Sequence, residues 1–155
     1  SNHTLDYDFE NKLAKSLNEN RLITNIISCN PGDYGVDIIA SFNHQIVLIQ
    51  CKNVEKSIGS SKLQKIESAF GRFGKDVLEI IIYNSEKLKN SLTKQANSWW
   101  KSCCPEIKIM NEHEIICFFK NKQKKIGKKT VEYLNSHVDE CFFSDIVMKG
   151  FKAEN

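Results

Sequence analysis

The segment QIVLIQCK, residues 45–52, restricts the fold of this chain more than any other part of the sequence. Its four consecutive aliphatic residues predict a buried strand, and the preceding segment GVDIIASF predicts a second one. Asn43-His44 between them forms a tight loop, so the two strands are expected to make an antiparallel hairpin. A buried strand that runs directly into Gln50 and Lys52 is notable, because polar groups at the end of a core strand need partners.

Hydrophobic spacing predicts the elements around this hairpin. An amphipathic helix is expected over residues 5–18, and a strand over RLITNIISCN before the turn at Pro31-Gly32. Three later segments read as helices, SSKLQKIESAFGRF, SLTKQANSWWKSC and EHEIICFFK, and two as strands, DVLEIIIYN and EIKIMN. The predicted order, α-β-β-β-α-β-α-β-α, is typical of an α/β fold with a mixed sheet flanked by helices.

The length of 155 residues and the hydrophobic content of 41% suit one ordinary globular domain. We expect this domain over residues 1–120, and a lysine-rich linker with a helical extension over residues 121–155. The sequence has neither an apolar run long enough for a membrane span nor the pattern of a secretory signal, so we expect an intracellular protein. The six cysteines lack metal-ligand spacing and are predicted to be reduced thiols.

Three polar side chains are expected to meet at one end of the sheet. In a regular hairpin that turns at Asn43-His44, facing residues have numbers that sum to roughly 87, which puts Asp37 opposite Gln50. Gln50 and Lys52 point to the same face, because residues two apart in a strand do so. An acid, an amide and a lysine therefore converge.

Such a group suits metal-assisted cleavage of a phosphodiester bond. Mg²⁺ prefers oxygen ligands and takes few of them from protein, and Mn²⁺ can replace it. Asp37 would supply a carboxylate, Gln50 a carbonyl oxygen, and Glu10 on the first helix a further carboxylate. Lys52 has the chemistry to hold the attacking water and to offset charge that develops on the phosphate.

The motifs FE (residues 9–10), GDYGVD (32–37) and QCK (50–52) together resemble those of the PD-(D/E)XK nuclease superfamily, and within it the Mrr-like restriction endonucleases. The resemblance extends through ANSWW and EIKIMNEHEIICFF and covers roughly residues 5–120. It implies a restriction-endonuclease-like αβββαβ core and a Mg²⁺-dependent DNA endonuclease. In that family the last aspartate of the glycine-flanked motif binds the metal, and the acid of the (D/E)-x-K motif is often Gln. The implied site residues are Asp37, Gln50, Lys52 and Glu10.

Basic residues along and after the central helix are expected to contact the phosphate backbone of DNA, with an ordinary solvated helix face as the alternative. They are Lys62, Lys65, Arg72 and Lys75. Two other functions stay open. One is a catalytically silent nucleic-acid-binding domain of the same fold, because the neutral Gln50 weakens metal affinity. The other is a structure-selective nuclease similar to the Holliday-junction resolvases, which would act as a two-fold homodimer.

Overall fold

The computed structural model describes residues 2–20, 23–26, 36–42, 45–122, 124–137, 139 and 151–153. The first half contains α1 (Asn2–Glu19), β1 (Ile23–Ile26), β2 (Ile38–Phe42), β3 (Gln45–Lys52) and α2 (Ser60–Phe70). A short 3-10 helix, Gly71–Phe73, follows α2. Next come β4 (Val77–Tyr83), α3 (Lys94–Cys103), β5 (Lys108–Asn111) and α4 (Glu114–Lys122). This order confirms the predicted α/β arrangement.

Strands β1 to β5 form one mixed sheet in that spatial order. β2 pairs antiparallel with both β1 and β3, whereas β4 pairs in parallel with β3 and with β5. The carboxyl ends of β3, β4 and β5 therefore lie on one side, called the carboxyl edge below, where Lys52, Tyr83 and Asn111 are register partners. Because α2 and α3 each follow one of these strands, their N termini lie at the same edge.

Helices cover both faces of the sheet, which explains the unbroken apolar run of β3. Val47 and Ile49 pack in a cluster with residues of α1 and α4, whereas Leu48 packs in a second cluster with residues of α2 and α3. The two faces are called the α1/α4 face and the α2/α3 face below. Ile46 at the opposite end of β3 remains exposed.

Glycines lie at both ends of α2. Gly59 is the N-cap residue, and no side chain caps the helix there. The helix ends at Gly71, which has ordinary helical dihedral angles. The following 3-10 helix ends at Gly74 with φ 89°, a conformation that glycine adopts at little cost.

Helix and strand residues occur within the lysine run of residues 120–129, of which position 123 lies outside the described ranges. The run includes the end of α4, strand β6 (Lys124–Ile126) and the start of α5 (Lys128–His137). β6 pairs in parallel with β7 (Phe151–Ala153). The predicted helical pattern thus ends at His137 within the described residues, and positions 138 and 140–150 lie outside them.

Cysteines of the described residues are free thiols, in agreement with the sequence: Cys51, Cys103, Cys104 and Cys117. Burial raises the pKa of Cys104 to about 11, with smaller contributions from neighbouring acids such as Glu67, so this thiol stays protonated at neutral pH. No helix in the described ranges has the length and apolar character needed to cross a membrane.

Candidate active site at the carboxyl edge

Asp37 lies where β2 and β3 begin to pair. The predicted hairpin register is confirmed from Ile38, opposite Ile49, to Phe42, opposite Gln45. At Asp37, however, the backbone N–H donates to the carbonyl oxygen of Ile49 at 2.9 Å, although Ile38 is already the partner of Ile49. Two successive residues therefore face one residue of β3, which is the arrangement of a β-bulge. The earlier part of the GDYGVD motif, up to residue 35, lies outside the described residues.

The Asp37 side chain accepts a hydrogen bond from β3 at a position where, in a regular antiparallel pair, a backbone carbonyl would accept it. Its Oδ2 accepts a hydrogen bond of 2.8 Å from the N–H of Cys51, which the confirmed register would have paired with Val36. Backbone N–H groups of a strand point along the sheet plane, so the carboxylate lies beside β3 rather than above or below it. It is thereby fixed next to the residue that separates Gln50 from Lys52.

Gln50 is a buried polar residue, with 8% of its surface exposed. It lies two residues after Leu48 and therefore on the α2/α3 face, beside Ile81 of β4. Its Oε1 is buried and has no hydrogen-bond partner among the described residues. An unpaired buried carbonyl oxygen costs about 1–3 kcal/mol. A bound water, cation or ligand group would remove that cost.

Lys52 shares the face of Gln50 and is half-buried. Its register partner on β4 is Tyr83, whose hydroxyl donates to Glu114 Oε1 at 3.4 Å. Burial raises the pKa of Tyr83, and the Glu114 carboxylate adds to the increase, so the phenol remains a proton donor. Tyr83 was not among the residues predicted from the sequence. The signal was present, because the segment IIIYNS repeats the pattern of an apolar strand that ends in polar residues.

Glu10, the fourth predicted site residue, lies on a different element. It is 3% exposed and lies on α1, next to Phe9, which packs on the α1/α4 face. α1 contacts β3, so Glu10 is on a helix that lies across the hairpin. The structure brings Asp37, Gln50 and Lys52 together at the end of β3, whereas Glu10 belongs to the opposite face from Gln50.

The donor set suits a hydrated divalent cation with few protein ligands. Asp37 offers a carboxylate and Gln50 an unpaired, buried carbonyl oxygen. In the described part of the chain, no three His, Cys, Asp or Glu side chains form a group that could hold a metal. A site built here would therefore depend on the amide oxygen as well as on carboxylates, and water and substrate would complete the coordination.

The predicted DNA-contacting residues lie on or just after α2 and are exposed: Lys62, Lys65, Arg72 and Lys75. A shallow groove of about 450 Å³ runs along this helix and is lined by Ser61, Gln64, Lys65, Ser68, Ala69 and Arg72. α2 starts at the carboxyl edge and its 11 residues extend about 16 Å away from it. Lys62 is therefore near the candidate site, whereas Arg72 and Lys75 are at the far end of the helix.

Comparisons with known proteins agree with this fold. The family model Mrr_cat, described as a restriction endonuclease, matches residues 4–119. A crystal structure described as a protein of unknown function, AF1548, is similar in fold, with a TM-score of 0.51 and 16% sequence identity. The match covers 93% of this chain and 78% of that one, and identity this low is evidence of a shared fold alone. No curated protein is significantly similar to the chain.

Proposed function

We propose, on the premise that this chain belongs to the Mrr_cat restriction endonuclease family of the PD-(D/E)XK superfamily, that it is a metal-dependent endonuclease that hydrolyses phosphodiester bonds of DNA. One observation carries the proposal. The Asp37 carboxylate accepts a hydrogen bond from the N–H of Cys51, the residue of β3 between Gln50, whose side chain is buried, and Lys52.

Mg²⁺ is the cation that we propose, with Mn²⁺ as a substitute. Asp37 and Gln50 would hold it, and Glu10 would act as an accessory carboxylate. When bound, such a cation polarises a phosphoryl oxygen and lowers the pKa of a coordinated water. The unpaired Oε1 of Gln50 supports this assignment, because it is a hard oxygen donor of the kind that Mg²⁺ accepts.

The chain contributes orientation and charge around the reacting phosphate. The hydrogen bond to Cys51 fixes the direction of the Asp37 carboxylate before substrate arrives, which reduces the reorganisation needed in the reaction. Lys52 would hold the attacking water and offset negative charge on the phosphate, and the protonated Tyr83 lies beside it in the register.

The exposed basic residues of α2 would bind the DNA backbone. Lys62, Lys65, Arg72 and Lys75 form a positive row along the helix and the turn after it, and Lys65 and Arg72 line the same groove. Contacts of this kind give affinity without sequence preference, because every phosphate presents the same charge.

Nicking of supercoiled plasmid DNA tests the proposal most directly. Wild-type protein should cut in Mg²⁺ or Mn²⁺ and not in EDTA. Lys52→Ala should lose at least about a hundredfold in rate, as expected for a group that assists proton transfer. Lys12→Ala, at an exposed lysine of α1, is the matched control and should cut at the wild-type rate. Absence of cleavage of linear, supercoiled, methylated and branched DNA by the wild type would reject the enzymatic assignment.

A DNA-binding domain without catalysis is the second candidate, and Gln50 is the observation that favours it. A neutral amide in place of an acid reduces the negative charge that attracts a divalent cation. Calorimetry separates the two candidates. Salt-sensitive DNA binding without any heat of Mg²⁺ or Mn²⁺ binding would support the silent domain.

A further inference from the structure

Two loops beside the candidate site are joined into one structure. Residues 53–59 follow β3 and residues 84–93 follow β4, and together they are called the rim below. Four hydrogen bonds connect them: Asn84 Nδ2 to Asn53 Oδ1 (3.0 Å), Ser57 Oγ to the Asn90 carbonyl (2.5 Å), Ile58 N–H to the Ser91 carbonyl (2.8 Å) and Thr93 N–H to the Ile58 carbonyl (3.0 Å). Loops tied in this way lose little further conformational entropy when a ligand binds.

A third loop anchors the rim. The Glu112 carboxylate, which follows β5, accepts hydrogen bonds from the Ser85 N–H at 3.0 Å and from the Ser85 hydroxyl. The rim also adjoins the candidate site in sequence and in space. Asn53 directly follows Lys52, and Asn84 directly follows Tyr83, the register partner of Lys52.

The rim carries exposed cations. Lys56, Lys87 and Lys89 are exposed, and none of the three forms an ion pair with a described residue. Two exposed acids, Glu55 and Glu86, are on the same loops, so the lysines outnumber the acids by three to two. The side-chain charge of the rim alone is therefore only weakly positive.

Two helix termini add to this charge. A parallel bridge between Ile58 and Leu92 holds the segments that lead into α2 and α3 side by side. The N terminus of each helix carries roughly half a positive charge. Lys94 occupies the first position of α3. The rim thus combines exposed ammonium groups with two aligned positive helix ends, next to the proposed reacting phosphate.

We infer that the rim is a binding surface for the DNA backbone, distinct from the row on α2, in which Lys56, Lys87 and Lys89 contact phosphates adjacent to the one that is cut. The inference rests on the proposed function. Its physical basis is that three exposed lysines and two helix N termini lie together at the carboxyl edge beside the candidate site, whereas Arg72 and Lys75 lie at the far end of α2.

Fluorescence anisotropy with a labelled linear duplex, measured over a series of salt concentrations without divalent cations, tests the rim. The triple variant Lys56→Gln, Lys87→Gln and Lys89→Gln should bind about tenfold or more weakly. Its plot of log affinity against log salt should be less steep by roughly two to three, since each phosphate contact contributes about 0.9 to the slope. The control triple variant Lys12→Gln, Lys15→Gln and Lys101→Gln removes the same charge at exposed positions away from the rim and should bind nearly as the wild type does.

The outcomes distinguish DNA binding by the rim from DNA cleavage at the candidate site. If the rim variant and the wild type have equal affinity and equal slope, DNA binding by the rim is rejected. The proposed nuclease activity is unaffected by that result. An equal loss in the control variant would also reject DNA binding by the rim, because net charge would then explain the effect. If the wild type binds DNA through the rim but cuts none, DNA binding by the rim is supported and the proposed nuclease activity is rejected. A wild type that binds no duplex at any salt concentration would reject both.

Discussion

The carboxylate of Asp37 takes the backbone N–H of Cys51 as its hydrogen-bond donor, at 2.8 Å. The aspartate therefore has two roles in one position, as part of the sheet's hydrogen bonding and as a candidate metal ligand. A charge is needed only for the second role. Substitutions that keep or remove an acceptor oxygen can separate the two.

Asp37→Asn should preserve the fold and lose DNA cleavage. The amide oxygen can still accept from Cys51, but the negative charge that would hold the cation is gone. Asp37→Ala should lose cleavage as well and also destabilise the chain by about 1–3 kcal/mol, because the N–H of Cys51 loses its acceptor. Urea unfolding and plasmid nicking, measured on the same samples, check both. Unfolding free energies that are equal for the two variants would contradict the structural role.

Gln50 should respond to substitution in opposite ways with and without metal. Gln50→Met replaces an unpaired buried amide with an apolar side chain, so metal-free stability should stay equal or rise, and the stabilisation by Mg²⁺ or Mn²⁺ should disappear. Gln50→Glu adds a buried charge near Asp37, so it should melt lower without metal and gain more on metal addition. Thermal melts with and without millimolar Mn²⁺ measure these shifts. Identical shifts in all three proteins would contradict a ligand role for Gln50.

Glu79 should make stability depend on pH. This half-buried acid of β4 has a raised pKa, chiefly through burial, with Glu106 and Glu67 adding to the increase. Because the fold favours the protonated form, its stabilising contribution is present at low pH and is lost as pH rises through the raised pKa. Glu79→Gln should therefore raise the melting temperature at pH 7, and the gain should shrink towards pH 4. Glu132→Gln, at an exposed acid of α5, is the control for loss of a negative charge. A gain for Glu79→Gln that does not change with pH would contradict the prediction.

Gly74 and Gly71 form a matched pair for the turn that connects α2 to β4. Neither position has an atom within 4 Å of an added Cβ, so only backbone conformation distinguishes them. Gly74→Ala should destabilise the chain by roughly 1–3 kcal/mol, because φ is 89° there. Gly71→Ala has helical angles and should be neutral or stabilising by up to about 1 kcal/mol. Denaturant unfolding compares the two, and an equal effect of both substitutions would contradict a specific need for glycine at position 74.

Much of the fold was predictable because it depends on local patterns. The aliphatic run before Gln50 defined a central strand, and the short connection between β2 and β3 fixed the register that pairs Ile38 with Ile49. The apolar spacing of Leu63, Ile66 and Phe70 agrees with their burial on α2, whereas Phe73, which continues the same spacing, lies beyond the helix and is exposed. In each case the information lies within a few consecutive residues, where period and turn chemistry act directly.

The candidate site was predictable only in composition. The sequence identified the polar ends of β2 and β3, and the regular register put Asp37 opposite Gln50. The bulge changed that, because the Asp37 N–H bonds to Ile49 and its side chain reaches Cys51 instead. A bulge inserts one extra residue into one strand of a pair, and hydrophobic periodicity alone does not predict where this happens.

The sequence by itself determined which residues carry charge or amide oxygen at strand ends, and which segments are buried. The tertiary structure decided which of those ends meet. Parallel pairing of β3 with β4 puts Lys52 beside Tyr83, and the bridge between Ile58 and Leu92 aligns two loops that are more than thirty residues apart. Parallel strands need long crossover connections, so their register is set by packing of the helices on the sheet and not by a turn in the sequence.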